Sequence, residues 1–394
     1  MSAERGETSA RAVAAIAIGA VAIDSALLGL VAPLLPEIQS RTGAGDEAVG
    51  FALAAYAVPI ALFSLPLGRA ADALGRRPLL AGGLALVAVG SVLVALTDSV
   101  GALMGSRAVQ GLGSAASWIA ALALVSDYAP DGRRGQALGA ALAATGIGSI
   151  VGPALGGVTA DLLSFEAPFL IAGGFAIALL VAALIVLPRE LRQPRPATPA
   201  LRTILRACRS GPGAWAAAMV VITSFALGLI EVVAPLDLDE RLGLSSSVIG
   251  LLFAASIAVD AVFAPLGGRW GDRRGRAYPA FAGLLGTALA AVLLAVLPGV
   301  VGTVVALAVY GAGFSLAIAS AVPWLDEAFD ASERGLAYGV QNLLYAGGYA
   351  IGPVVGGTLL ALSGADLAYA VTAIVVAATA VGLWFAWPTE VKSA

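Results

Sequence analysis

"GYAIGPVVGG", residues 348–357, lies inside one of the most apolar stretches of the chain, and "GSIVGPALGG", residues 148–157, carries the same pattern 200 positions earlier. Glycine loosens a helix and proline removes one of its hydrogen bonds, so a helix interior needs a reason for either. A shared G-x-x-x-G-P-x-x-G-G spacing points to a duplicated chain. Other residues keep the same register. Asp72, Gly75 and Arg76 fall on Asp272, Gly275 and Arg276, Gly111 and Gly113 on Gly311 and Gly313, and Arg134 and Gly135 on Arg334 and Gly335.

The repeat is written in lipid-compatible residues. Hydrophobic side chains make up 59% of the 394 residues and charged ones 12%, with a mean hydropathy of +0.94. Soluble domains carry about a quarter charged residues. The apolar runs reach the roughly 20 residues that cross a bilayer as helix, and none alternates as a strand would. Twelve spans are expected: 12–36, 48–67, 79–97, 100–126, 136–160, 168–187, 214–236, 247–266, 278–297, 302–325, 336–361 and 367–387. The first is too long for a signal-peptide core and is expected to stay on the protein.

The polar, proline-rich stretch 188–213 separates six spans from six, so the chain reads as a half at 1–187, a cytoplasmic linker at 188–213 and a half at 214–394. Six spans per half return the chain to its starting side. The halves are therefore a parallel repeat about an axis along the membrane normal, with a ligand cleft between them.

Of the 22 Lys and Arg residues, all but Arg41, Arg241 and the intramembrane Arg107 fall in loops or tails on one side. Basic loops stay in the cytoplasm, which places both termini there, in the cell's inner (cytoplasmic) membrane. The basic residues serve topology, so no nucleic-acid partner is implied. One cysteine, Cys208, and no histidine exclude disulfides, cysteine-rich metal sites and histidine-based catalysis. No enzyme activity, cofactor or metal is expected.

Four motifs in register carry a family resemblance. "GRAADALGRRPLL" (68–80), with a second copy "GRWGDRRGR" (268–276), resembles a loop of the major facilitator superfamily, and "LMGSRAVQGLGSAA" (103–116) resembles its fourth-span element. The opening motif is similar to the signature of its twelve-span drug:proton antiporters. "DSALLGLVAPLLP" (24–36), "EVVAP" (231–235) and "GYAIGP" (348–353) are similar to the vesicular amine transporter branch. The chain departs from that branch in three places. The second span lacks a lysine, Asn342 stands where an acid is expected, and no acid lies near Ile318 to Ser320. The resemblance implies an all-helical major facilitator fold and coupled transport of a small molecule.

The residues themselves nominate a site. Asp24 lies near the middle of span 1, where a charge costs about 2.5–3.5 kcal/mol, so it faces a wet cavity and marks function unless it is a structural ion pair with Arg107. Glu231, in the equivalent span 7, is aligned through "VAPL" (31–34 and 233–236) with Gly29 and lies nearer the outer surface. Asp260 is either a relay member or a packing partner. Arg107, opposite Leu307 in the other half, is expected to modulate the protonation of a nearby acid as the halves move. Tyr56, Trp118, Tyr310, Phe314, Tyr345 and Tyr349 are candidate cleft aromatics that hold an organic cation by their ring faces, with Gln341 and Asn342 as polar contacts.

Gating is expected from two sets of residues. Gly68, Asp72, Gly75, Arg76, Arg77, Asp272 and Arg276 are expected to latch the halves together when the inner side is closed, or else to form solvated loops that only set topology. Gly148, Gly152, Pro153, Gly156, Gly157, Gly348, Gly352, Pro353, Gly356 and Gly357 give two flat, bendable helices along a sliding seam, or simply tight packing in a static bundle. The function expected is a monomeric proton-coupled antiporter exporting cationic or amphipathic small molecules. The alternative is a proton symporter or uniporter for a sugar or other metabolite.

Overall fold

A backbone in hydrocarbon has no water to bond, so each apolar run must satisfy its own N–H and C=O groups as a helix. In the computed structural model, which describes residues 2–129, 134–188, 211–329 and 334–386, every long run does so. The first half contains α1 (Ser2–Leu30), a 3-10 turn (Ala32–Leu34), α2 (Leu35–Thr42), α3 (Asp46–Leu74), α4 (Arg76–Ala95), α5 (Val100–Asp127), α6 (Arg134–Leu162) and α7 (Ala167–Val186). The second contains α8 (Gly211–Leu242), α9 (Ser246–Arg274), α10 (Ala277–Val296), α11 (Gly299–Glu327), α12 (Arg334–Ser363) and α13 (Ala365–Ala386). Twelve segments among the described residues are long and apolar enough to cross a membrane. Most of the expected linker, 189–210, falls outside the described residues, as does the side chain of Asp72.

The first expected span differs in one respect. It runs to Thr42 as one membrane segment, broken by the 3-10 turn where Pro33 and Pro36 follow each other too closely for an α-helical hydrogen-bond ladder. The turns after α3 and α9 need glycine outright, because Gly75 and Gly275 stand at φ 96° and 84°.

The apolar core shows how the halves meet. At the end that the arginine count assigns outside, one cluster joins both halves, from Leu27, Leu34 and Tyr56 to Leu229, Val233 and Phe253. Toward the other end it divides into Val13, Leu80 and Leu124 in the first half and Met219, Leu284 and Trp324 in the second. The bundle is sealed at the outer end and parts into two cores at the other.

The duplicated glycine motif does two jobs rather than one, which corrects the sliding-seam expectation. A Cβ at Gly148, Gly152 or Gly156 would run into the carbonyls of Ala22, Ala26 or Leu30, so this stripe seats α6 on α1 of its own half. Gly348, Gly352 and Gly356 seat α12 on α8 in the same way, against Val221, Phe225 and Leu229. Only the remaining residues of each motif face the other half. Gly250 of α9 lies on the Pro153 carbonyl and Gly157 on that of Ser246, while Gly50 lies on Pro353 and Gly357 on Asp46.

Those contacts also reset the register between α1 and α8. Ala22, Ala26 and Leu30 are matched by Val221, Phe225 and Leu229, an offset of 199. Glu231 is thus equivalent to Ala32 rather than Gly29, and Asp24 to Thr223. At 1.5 Å rise per residue, eight positions put Glu231 about 12 Å nearer the outer end than Asp24.

Candidate functional site

The site is organised by the R-x-x-Q-G stretch of α5. Gly111 has no Cβ, and one there would meet the Tyr56 carbonyl, so α3 lies directly on α5. This contact brings the Tyr56 ring over the Arg107 guanidinium, at 4.3 Å from Cζ to ring centroid. Arg107 Nη1 donates to Gln110 Oε1 over 2.9 Å and to the Leu27 carbonyl over 3.4 Å, and Gln110 Nε2 donates to Ser91 Oγ over 2.9 Å. Arg107, Gln110 and Ser91 are all fully buried. The Nε and Nη2 groups of Arg107 have no hydrogen-bond partner.

Asp24 is reached from two helices. Tyr56 Oη donates to Asp24 Oδ1 over 3.3 Å, and Ser114 Oγ donates to the same oxygen. Ser114 is two turns along α5 from Arg107, on the same face. The structural ion pair between Asp24 and Arg107 is therefore absent. Arg107 lies within electrostatic reach of Tyr56 and, in the opposite half, of Tyr349 and Glu231. Glu231 does not reach the outer interface. It is 4% exposed and accepts a hydrogen bond from Tyr349 Oη.

An aromatic wall continues from Glu231. Tyr349 stacks on Tyr345 with centroids 6.4 Å apart and planes 9° from parallel. Tyr310 and Phe314 of α11 lie 6.1 Å apart, and the buried Tyr310 hydroxyl has no partner. Asp260 of α9 lies within electrostatic reach of Tyr310 and Tyr345, and its backbone carbonyl accepts from Ser315 Oγ over 2.8 Å. Asn342 Nδ2 crosses between halves to Ser64 Oγ at 3.4 Å, and Gln341 is partly buried beside it. Trp118 packs on the first half's own core instead of joining this wall.

With the inner end parted, several of the expected cytoplasmic latch residues bond within their own half. Arg76, fully buried, pairs with Asp127 of its own half at 3.1 Å and donates to the Ala71 carbonyl. Arg77 donates to the Leu184 carbonyl and Arg276 pairs with Glu327 at 2.7 Å, again within one half. The carboxylate beside the buried Arg76 guanidinium offsets part of its desolvation cost. Asp272 is exposed, and a side chain at Gly68 would meet open space.

Three contributors were not singled out from sequence: Ser114, Gln110 and Ser91. The first two stand in the R-x-x-Q-G-x-G-S stretch at helical spacing from Arg107, a signal that was present. Ser91, on another helix, left none.

The comparisons agree with this architecture. The Major Facilitator Superfamily sequence model matches residues 15–236 and 216–394. The synaptic vesicular amine transporter of Bos taurus is 26% identical over 266 residues, which is 65% of this chain and 50% of that protein. The chain thus spans about half the length of the vesicular amine transporters it matches. Multidrug resistance protein 1 of Bacillus subtilis (strain 168) is 27% identical over 372 residues, covering 93% of this chain and 94% of that one. Among solved structures, an inward-facing bacterial homologue of the human lysosomal transporter Spinster superposes with TM-score 0.76 at 17% identity, over 97% of this chain and 95% of that one. A peptide-bound POT family transporter gives 0.78 at 14% identity, over 95% and 96%. The family model covers nearly the whole chain, which carries twelve segments long and apolar enough to cross a membrane among its described residues, and the chain belongs to the Major Facilitator Superfamily.

Proposed function

We propose that the protein exports cationic or amphipathic small molecules across the cell's inner membrane in exchange for protons, by alternating access, with both termini in the cytoplasm. The observation that carries this reading is one carboxylate per half, each held by a tyrosine hydroxyl, Tyr56 on Asp24 and Tyr349 on Glu231, with Arg107 stacked on Tyr56 and within electrostatic reach of Glu231. Neither acid is neutralised by an ion pair among the described residues. A buried acid without a fixed counter-charge is costly, and it is relieved either by a proton or by a cationic ligand. Competition between those two occupants is what couples their opposite movements. The stacked Tyr345 and Tyr349 offer ring faces to the apolar body of such a ligand.

The relatives named for amine transport and multidrug resistance support the same substrate class. The test is uptake of a lipophilic monocation into proteoliposomes with an imposed pH gradient. The reading requires accumulation that collapses when the gradient is dissipated. Flux that only equilibrates the cation, or that moves it in the same direction as protons, would replace antiport with the uniport or symport alternative.

A further inference from the structure

We propose that Asp161 is the outer latch of this transporter. Carried by the first half, its carboxylate caps the opening turn of α9 in the second half, and that bond must break before the halves part at the outer end. The proposal rests on the alternating-access reading above.

Asp161 lies in the last turn of α6, four residues past Gly157. Ser247, the second residue of α9, donates its backbone N–H to Asp161 Oδ2 over 2.8 Å. The first N–H groups of a helix have no acceptor within it, and a carboxylate there also meets the positive end of the helix dipole. In most helices the N-cap side chain fills this role. The N-cap of α9 is Ser245, a good capping residue, yet its side chain makes no cap hydrogen bond. The cap comes from the other half instead. Ser247 Oγ adds a bond to the Gly157 carbonyl at 3.4 Å, and Gly157 itself lets the Ser246 backbone lie against α6.

The rim that carries Asp161 is tied down within its own half. Arg41 of α2 pairs with Glu166 at 2.9 Å and lies over the Phe165 ring at 4.4 Å, while Phe165 packs on Phe169 at 5.4 Å. Asp161 is thus presented to α9 from a braced corner, not from a loose loop. The duplicated seam between α3 and α12 has no such device. At the 200-residue register, Ala361 stands in place of Asp161, and Asp46 of α3 accepts from Gln39 of its own half over 2.6 Å. Among the described residues, this carboxylate-to-helix bond closes one outer seam and leaves the other to packing alone. Because Asp161 stays accessible to water, the bond is of a size that a cycle breaks readily. Loss of an N-cap shifts an equilibrium by roughly 2- to 30-fold.

The test is pulsed-dipolar spectroscopy on the full chain in nanodiscs, with Cys208→Ser removing the native thiol. One pair of spin labels replaces Leu96 and Val296, exposed residues at the outer end, one in each half; a second replaces Leu74 and Arg274 at the opposite end. For Asp161→Ala we expect the ratio of long to short outer distances to rise about tenfold, with the inner pair shortening in proportion. Asp161→Asn keeps an acceptor oxygen without the charge and should fall between. An outer distribution unchanged in a monodisperse Asp161→Ala protein overturns the latch. So does an outer pair that lengthens while the inner pair stays put, since that marks a loosened rim. The measurement uses neither substrate nor pH gradient, so its outcome is separable from the efflux reading.

Discussion

At the scale of single residues, the two carboxylates differ in how they are held. Asp24 has two hydroxyl donors, Tyr56 and Ser114, from two helices of its own half, whereas Glu231 has Tyr349 and senses Arg107 across the interface. Asp24→Asn is therefore expected to reduce uphill transport by about two orders of magnitude, the lower end of what a proton-transferring side chain contributes. Downhill flux of the monocation should survive. Initial rates with and without a pH gradient decide this, and equal losses in both would place Asp24 in the fold instead of the coupling. Tyr56→Phe removes one of two donors, at a length of 3.3 Å. A hydrogen bond of that kind is worth about 1 kcal/mol, so roughly a fivefold loss is expected in the same assay. Arg107→Lys keeps the charge but not the planar guanidinium that lies over the Tyr56 ring while its Nη1 reaches Gln110 and the Leu27 carbonyl. A compact ammonium cannot reproduce that geometry. Turnover should fall by more than tenfold while the protein still folds, and a lysine variant with full turnover would show that charge alone suffices.

At the scale of helices, the G-x-x-x-G-P-x-x-G-G motif behaves as two interleaved surfaces. Gly152 has the Ala26 backbone of its own half against it, while Gly157 has Ser246 of the other. The two positions should then fail differently. Gly152→Leu forces α6 off α1 and is expected to lower the melting temperature in detergent, since overpacking costs about 1–3 kcal/mol. Gly157→Leu crowds a contact between the halves, one that the alternating-access proposal has open when the outer end parts. It should leave thermal stability nearer that of the parent and change turnover instead. If both variants lose stability equally, the motif packs a single rigid core and the division is wrong. The buried Arg76–Asp127 pair at the other end also belongs within one half.

At the scale of the molecule, the stagger between Asp24 and Glu231 bears on stoichiometry. One proton exchanged for one monocation moves no net charge, so it draws on the pH gradient alone, at about 1.4 kcal/mol per pH unit. Two protons per monocation double that to about 2.7 kcal/mol and add about 2.3 kcal/mol per 100 mV. The sum of about 5 kcal/mol sustains a gradient of several thousandfold. Two acids about 12 Å apart along the membrane normal, one in each half, can be loaded separately. Electrogenic antiport is expected, with Glu231→Gln turning it electroneutral at partial activity. Monocation flux at a fixed pH gradient and clamped voltages checks both, and wild-type flux indifferent to voltage would rule out the two-proton scheme.

Helix number was legible in the sequence, and an expected division and orientation could be read from it, because the constraints behind them are local. Lipid demands an apolar helix of a set length, duplicated motifs betray the repeat, and basic residues collect on one side. The intramembrane acids and Arg107 stood out for the same reason, as charges where charge is expensive. Partners were not legible. A shift of two or three residues between helices, such as 199 against 202 in α1 and α8, moves a side chain by most of a turn and changes what it faces. Matching "VAPL" to "VAPL" could not detect that, since register is set by which backbones glycine allows to touch. Tertiary packing alone decided that Arg107 stacks on Tyr56 and bonds Gln110 instead of pairing with Asp24, that half of the glycine motif stays within its own half, and that Asp161 caps a helix it does not belong to.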